Sequence, residues 1–368
     1  MLVKASLLAL SALGLATPYP RDSSHPGLRL VKTSASDPGQ WVTEHQKYEY
    51  FTSKNIPFID ITDITDKEVL SIHSAEPSSR VVTRATKYPP GALHKDQGDE
   101  LLAKTSNDGP RSWLKTLTDF HTRHYMTDTG VQAADWLFAQ VQNVSSCNPA
   151  VVVRNRKHDA FEQSSVVARI PGHKPDLVVV GAHLDSTAGP RETRSPGAVD
   201  DGTGTVVLLE ALRVLAESGL KPNNTIEFHW YAAEEGGLLF SQDIWAVYKA
   251  DRKNVVGYLN QDMAGHSPSG VPAVYEDYVD AALSKYITAL IKEYLGVTPN
   301  KSECGYGCSD HASARANGFP AAFVADDVWL KTSPDIHSED DTYDKVMWPT
   351  VLMHSKLVVS YLFEASYI

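Results

Sequence analysis

Residues 176–186 read DLVVVGAHLDS. An unbroken apolar run from Leu177 to Val180 leads through Gly181 and Ala182 into His183 and Asp185. A strand with one wet face alternates apolar and polar side chains. A continuous run instead marks a strand covered on both faces, as in a parallel sheet between helices. Two more runs end in the same way. NTIEFHWYAAEE (224–235) closes on Glu234 and Glu235, and NVVGYLNQDM (254–263) closes near Asp262.

Helical patterns separate and follow these runs: TVVLLEALRVLAES (205–218), residues 241–249 and VDAALSKYITALIKEYL (279–295). AVVVRN (150–155), SSVVARIPG (164–172) and FPAAFVADD (319–327) read as further strands. Upstream, RSWLKTLTDFHTRHY (111–125) and TGVQAADWLFAQVQ (129–142) carry apolar stripes at helical spacing. The order predicts an α/β three-layer sandwich, a mainly parallel central sheet flanked by helices, in a single domain over residues 89–368. His121 and His124 share one of the predicted helices and read as solvated or packed side chains rather than ligands.

In an open parallel sheet the carboxyl ends of the strands form one rim, where ligands bind. His183, Asp185, Glu234, Glu235 and Asp262 therefore converge on one edge. The segment SPGAVDDGTGTVVLL (195–209) adds Asp200 and Asp201 just ahead of a helix. One aspartate serves as a helix cap, and the second is left over. The polar stretch SPDIHSEDDT (333–342) adds His337. Carboxylates this dense raise one another's pKa and do not all ionise without cations. Histidine mixed with aspartate and glutamate is a donor set that zinc accepts, and a shared carboxylate suits a two-metal hydrolytic site. Asp185, two residues after His183, is placed to hold the other imidazole nitrogen. Two divalent cations are balanced by Asp200, Glu235, Asp262 and a hydroxide, which leaves Glu234 free to act as general base.

The chain has 368 residues, 42% of them hydrophobic and 21% charged, enough for a sizeable core. A net charge of −11 without a basic run argues against nucleic-acid binding and against adhesion to anionic lipid. The opening MLVKASLLALSALGLATP (1–18) has the layout of a cleaved export signal, set at residues 1–16. Its apolar stretch is shorter than a spanning helix needs, and no later segment spans, so a secreted, extracellular protein without membrane attachment is expected. Residues 17–88 read as a pro-segment ending in SSRVVTRATKYPPG (78–91), a basic, proline-bearing junction open to cleavage. Cys304 and Cys308 lie close enough to bridge each other across a turn, leaving Cys147 over. Asn143, Asn223 and Asn300 begin glycosylation sequons.

Together, TDTGVQAADWL (127–137), GAHLDS, GAVDDGTG, YAAEEGG, NQDM, CGYGCSDHAS and IHSEDDT, in this order, make the chain resemble the co-catalytic zinc aminopeptidases of family M28, close to secreted fungal leucine aminopeptidases. The resemblance covers residues 127 to 368. It implies a zinc-peptidase fold and two zinc ions per chain. It places Asp200 on both metals, Glu235 and His337 on one, and His183 and Asp262 on the other. Asp185 then orients His183, and Glu234 is general base and later acid. Tyr306 corresponds to a residue contacting substrate, and a cis peptide is implied after Asp200. Asp310 and His311 are not ligands in that pattern. Val199 replaces an acidic residue of some relatives at a position that binds no metal. The implied activity is release of amino-terminal residues, preferably leucine or other hydrophobic ones, from peptides with a free amino terminus by a monomer. The alternatives are a glutaminyl-cyclase-like or carboxypeptidase-like enzyme on the same scaffold, and a catalytically dead binding ectodomain.

Overall fold

The computed structural model describes residues 25–76 and 86–368. The export signal over 1–16, the first residues of the pro-segment and most of the basic junction lie outside them. The described elements run β1 Arg29–Lys32, β2 Gln40–Val42, α1 Glu44–Tyr50, β3 Ile59–Asp60, α2 Lys67–His73, α3 Lys95–Leu102, α4 Asp108–Asp119 and α5 Asp128–Ser145. They continue through β4 Val152–Arg156, β5 Ser165–Ile170, β6 Lys174–His183, α6 Thr203–Glu217, β7 Asn224–Tyr231, α7 Leu239–Ala250 and β8 Val255–Gln261. The last are β9 Ala273–Tyr275, α8 Ala281–Leu290, β10 Asn300–Ser302, α9 His311–Ala316, β11 Ala321–Ala325 and α10 Trp348–Ala365.

Eight strands form one mixed sheet in the order β10-β9-β11-β8-β6-β7-β5-β4. The central four, β11, β8, β6 and β7, are mutually parallel. β5 pairs antiparallel with both β7 and β4, and β9 pairs antiparallel with β11. The mainly parallel character thus belongs to the middle of the sheet, and hairpin geometry takes over at one edge. Leu177–Ala182 of β6 are inaccessible or nearly so, and every residue of β7 and β8 is buried. Each such aliphatic side chain contributes about 1.5–3 kcal/mol relative to leaving it in water.

Strand β7 shows why two helix layers are needed. Trp230 points to α6, donating its indole N–H to the Thr205 carbonyl at 3.0 Å. Its neighbour His229 points the other way, against Trp245 and Tyr248 of α7. Alternation across one strand therefore meets a helix on each side. Gly181 of β6 is fixed by this packing, because an added Cβ would lie 2.6 Å from the Tyr231 ring and 2.7 Å from the Tyr258 hydroxyl.

Residues 25–76 build a separate three-stranded antiparallel sheet, β2-β1-β3. The apolar side of this unit, with Ile59 of β3, Ile61, Ile64 and Val69 of α2, packs on Leu238, Tyr278, Tyr306, Ala312 and Ala316 of the larger unit. The helix expected over 111–125 stops at Asp119, because Phe120 turns to extended backbone (φ −61°, ψ 138°). His121 and His124 therefore lie beyond it. His121 is exposed, and His124 Nδ1 accepts the Met126 amide at 3.2 Å.

Candidate active site

Three strand ends and two loops bring the acidic groups together. His183 ends β6, Glu234 and Glu235 follow β7, and Asp262 follows β8. Asp200 sits in the buried turn Ala198–Gly202 ahead of α6, and His337 in the loop before α10. Asp200 is central. Its Oδ1 lies 3.0 Å from His183 Nε2, and its Oδ2 lies 3.1 Å from His337 Nε2. Asp262 Oδ1 stands 3.5 Å from His183 Nε2, and Glu235 Oε2 stands 3.3 Å from His337 Nε2. Two donor triads result, His183–Asp200–Asp262 and Asp200–Glu235–His337, each with its ligand atoms within 4.8 Å of one another. The structure thus gathers all five residues assigned as metal ligands from the sequence.

The charges around this cluster call for cations. Burial pushes the Glu235 carboxyl up to about 8 against the opposing pull of His337. Burial, with Asp310, Asp262 and Glu235 adding to it against His183, holds Glu234 well above the ordinary carboxyl range. Burial alone would depress both imidazoles, but Asp262, Asp185 and Asp200 hold His183 well above its usual value. Glu235 and Asp200 likewise raise His337 to about 9. Protons thus occupy positions at which a divalent cation would satisfy the same lone pairs. Glu235 Oε1 and Asp262 Oδ1 are buried with no hydrogen-bond partner, as atoms reserved for a ligand would be. The donor set, its burial and these orphaned oxygens fit two divalent cations that share Asp200.

Around the donors lies a supporting shell. Asp185 accepts the backbone amides of Glu234 and Glu235, one on each oxygen, at 3.1 and 3.2 Å, and stands 3.6 Å from His183 Nδ1. It thereby ties the β6 and β7 ends together. Asp201, expected as a cap or a surplus acid, caps α6 through Gly204 N–H at 2.9 Å. It also accepts the amides of His183 and Met263 at 3.2 and 3.0 Å. The Asp200–Asp201 peptide is cis, as the resemblance implied. Ala233, Met263 and His337 all have positive φ, between 55° and 59°, next to the acids or at the imidazole itself.

Two supporting residues were not singled out from the sequence. Asp341 accepts the backbone amides of Val199 at 2.9 Å and Asp200 at 3.0 Å. Arg123, fully buried, donates to the carbonyls of Leu184, Pro196 and Gly197 and so braces the same turn. Asp341 falls within the quoted polar stretch, but only the fold brings it to the bridging turn. Nothing in the local pattern marks Arg123.

The amino-terminal sheet covers the rim. Thr52, Asn55, Ile56, Pro57 and Phe58 line the same cavity as Asp200, Glu234, Glu235, Asp262 and His337, and only about 60 Å³ remains between them. Small-molecule sites usually offer roughly 300 Å³ or more. Asp60 N–H donates to the Gly237 carbonyl at 3.1 Å, and Gln242 Nε2 bridges the carbonyls of Asp60 and Gly237. At Gly237 (φ +99°) an added Cβ would lie 2.7 Å from Asp60 N, so the second glycine of YAAEEGG admits this strand. Tyr306 faces the same cover, its hydroxyl donating to the His73 carbonyl at 3.1 Å. Cys304 and Cys308 form a disulfide, and Cys147 is free and exposed. Asn143 is exposed on α5, while Asn223 and Asn300 are half-buried.

Residues 165–362 match the model of peptidase family M28. The chain is 40% identical over 365 residues to a protein of Arthroderma otae described as "Probable leucine aminopeptidase", covering 98% of each chain. It is 37% identical to "Leucine aminopeptidase 1" of Ajellomyces dermatitidis, covering 99% of this chain and 97% of that one. Among solved structures, the LapA aminopeptidase of Legionella pneumophila superposes with a TM-score of 0.81 at 26% identity, over 93% of this chain and 98% of that one.

Proposed function

The chain belongs to peptidase family M28, and from that premise we propose that it is a secreted metallo-aminopeptidase using two zinc ions per chain. The observation that carries the reading is the position of Asp200, with one carboxylate oxygen toward each of two histidine-bearing donor sets. His183 and Asp262 would hold one ion, Glu235 and His337 the other, and Asp200 would serve both. Bound there, such ions would supply Lewis-acid polarisation of the scissile carbonyl and a lowered pKa for the attacking water. Glu234 takes the proton from that water and returns it to the departing amine. Its backbone is held by Asp185, which fixes the base relative to His183. Action from the amino end, with preference for leucine or another apolar residue, is supported by the relatives described as leucine aminopeptidases.

Residues 17–88 act as a pro-segment. Ile56, Pro57 and Phe58 line the cavity where a substrate would enter, so hydrolysis requires its removal at the basic junction. Residues 1–16 direct export. No helix among the described residues is long and apolar enough to cross a membrane. Asn143, Asn223 and Asn300 are the glycosylation positions. Tyr306 contacts substrate once the cover leaves, and the mature enzyme, residues 89–368, works as a monomer.

The test is a mass-spectrometric time course on a peptide ladder, with uncleaved and processed protein, each with and without a chelator. Residues should leave singly from the amino end, only with metal, and faster by at least tenfold after processing. Loss from the carboxyl end, or turnover unaffected by the chelator, would refute the assignment.

A further inference from the structure

The two histidines of the site differ in where their outer nitrogens find partners. His183 Nδ1 faces Asp185, a residue of the same unit, at 3.6 Å. His337 Nδ1 faces Asn55 Oδ1 at 2.9 Å and the Thr52 carbonyl at 3.3 Å, both in the amino-terminal cover. A carbonyl only accepts, so Nδ1 carries the hydrogen and donates it. Nε2 points between Asp200 and Glu235, where its lone pair would be offered to a cation that displaces the proton there. This is the tautomer and ring direction that a metal-binding imidazole needs, and an outer acceptor of this kind also raises its basicity.

We infer that Asn55 of the pro-segment is a positioning residue for metal: it completes one of the two metal sites, the one built on Asp200, Glu235 and His337, while the cover is in place. The inference rests on the two-metal reading given above. The cover thus does two things at one point. It closes the rim, and it orients a ligand whose Nδ1 meets its acceptors, among the described residues, in the cover. At His183 the carboxylate near Nδ1, Asp185 at 3.6 Å, belongs to the larger unit and does not depend on the cover. The two sites therefore differ in their dependence on the pro-segment. Asn55 also sits in left-handed backbone, φ 50° and ψ 41°, at the end of the turn Thr52–Lys54. Asparagine adopts that conformation readily, and it aims the amide oxygen at the imidazole.

The experiment is stepwise zinc binding to the uncleaved chain by competition with a chromophoric chelator, for wild type, Asn55→Gly and Asn55→Asp. Glycine tolerates the positive φ and removes the nearer of the two acceptors, leaving only the longer contact to the Thr52 carbonyl, whereas aspartate keeps both the φ and a side-chain oxygen. Loss of an outer-shell partner typically weakens metal binding about 10–100-fold. Asn55→Gly should lower one of the two affinities by that factor and leave the other within about twofold, with Asn55→Asp restoring the wild-type value. Equal affinities in all three chains, an equal fall in both constants, or a fall in Asn55→Asp as large as in Asn55→Gly would overturn the inference. Wild type that binds no zinc would instead overturn the two-metal reading itself. Should the glycine chain fail to fold, nitrogen-15 NMR of zinc-loaded wild type decides. A His337 ring hydrogen on Nδ1 supports the inference, and one on Nε2 overturns it.

Discussion

Lys47 Nζ donates to the Gly236 carbonyl at 2.9 Å, tying an ammonium of α1, in the amino-terminal unit, to the turn that carries Glu234 and Glu235. The same ammonium lies 2.8 Å from Asp60, a fully buried carboxylate that also receives Arg29 Nε at 2.7 Å. The cover and the turn bearing Glu234 and Glu235 are therefore joined through a buried charge cluster as well as through apolar packing.

Asp60 gives this joint a sign with pH. Burial pushes its carboxyl up, but Lys47 and Arg29 outweigh that and hold it below the ordinary value. A depressed folded pKa contributes stability that is present above the unfolded pKa, about 3.9, and is lost as pH falls through the folded one. Asp60→Asn leaves the Lys47 and Arg29 charges facing a neutral amide, and breaking a buried pair costs about 3–5 kcal/mol. At pH 7, hydrogen exchange over residues 25–76 should be much faster in the variant, and the uncleaved chain should gain activity. The difference from wild type should shrink only below about pH 4. Matching exchange at pH 7 would refute the anchor.

Glu234→Gln keeps the size of the side chain and removes its capacity to take a proton. Metal content should be unchanged, and kcat on a leucine anilide should fall about 10²–10⁴-fold. A variant that retains near wild-type turnover would show that proton transfer resides elsewhere.

Asp341→Ala strips the acceptor from the buried amides of Val199 and Asp200. Each unsatisfied buried donor costs about 1–3 kcal/mol. A lower midpoint in urea and weaker binding of both metals are expected, because the turn holds the shared ligand. Unaltered stability would mean that the turn keeps its shape without this carboxylate.

Much of this arrangement is written in local pattern. Continuous apolar runs ending in His183, Glu234 and Asp262 place those groups on one rim, since the strands are central and parallel. The hairpin of β4 and β5 at the sheet edge was less legible, because short apolar runs do not state the direction of pairing. His337 stands in a polar loop with no periodicity, and only the ordered motifs of the family marked it. The amide-holding roles of Asp201 and Asp341 depend on chain segments far apart in sequence, so no spacing rule reaches them. Strand β3 is just Ile59–Asp60, and the buried charge of Asp60 is intelligible only beside Lys47 and Arg29.

The central claim is that Asp200 is shared between two cations, and elemental analysis of purified, active protein tests it most directly. Two zinc ions per chain are predicted for wild type and for Glu234→Gln, one for His337→Ala or Asp262→Asn, and none retained by Asp200→Asn. A fully active wild-type protein with no bound metal, or an Asp200→Asn chain that still holds two ions, would contradict it.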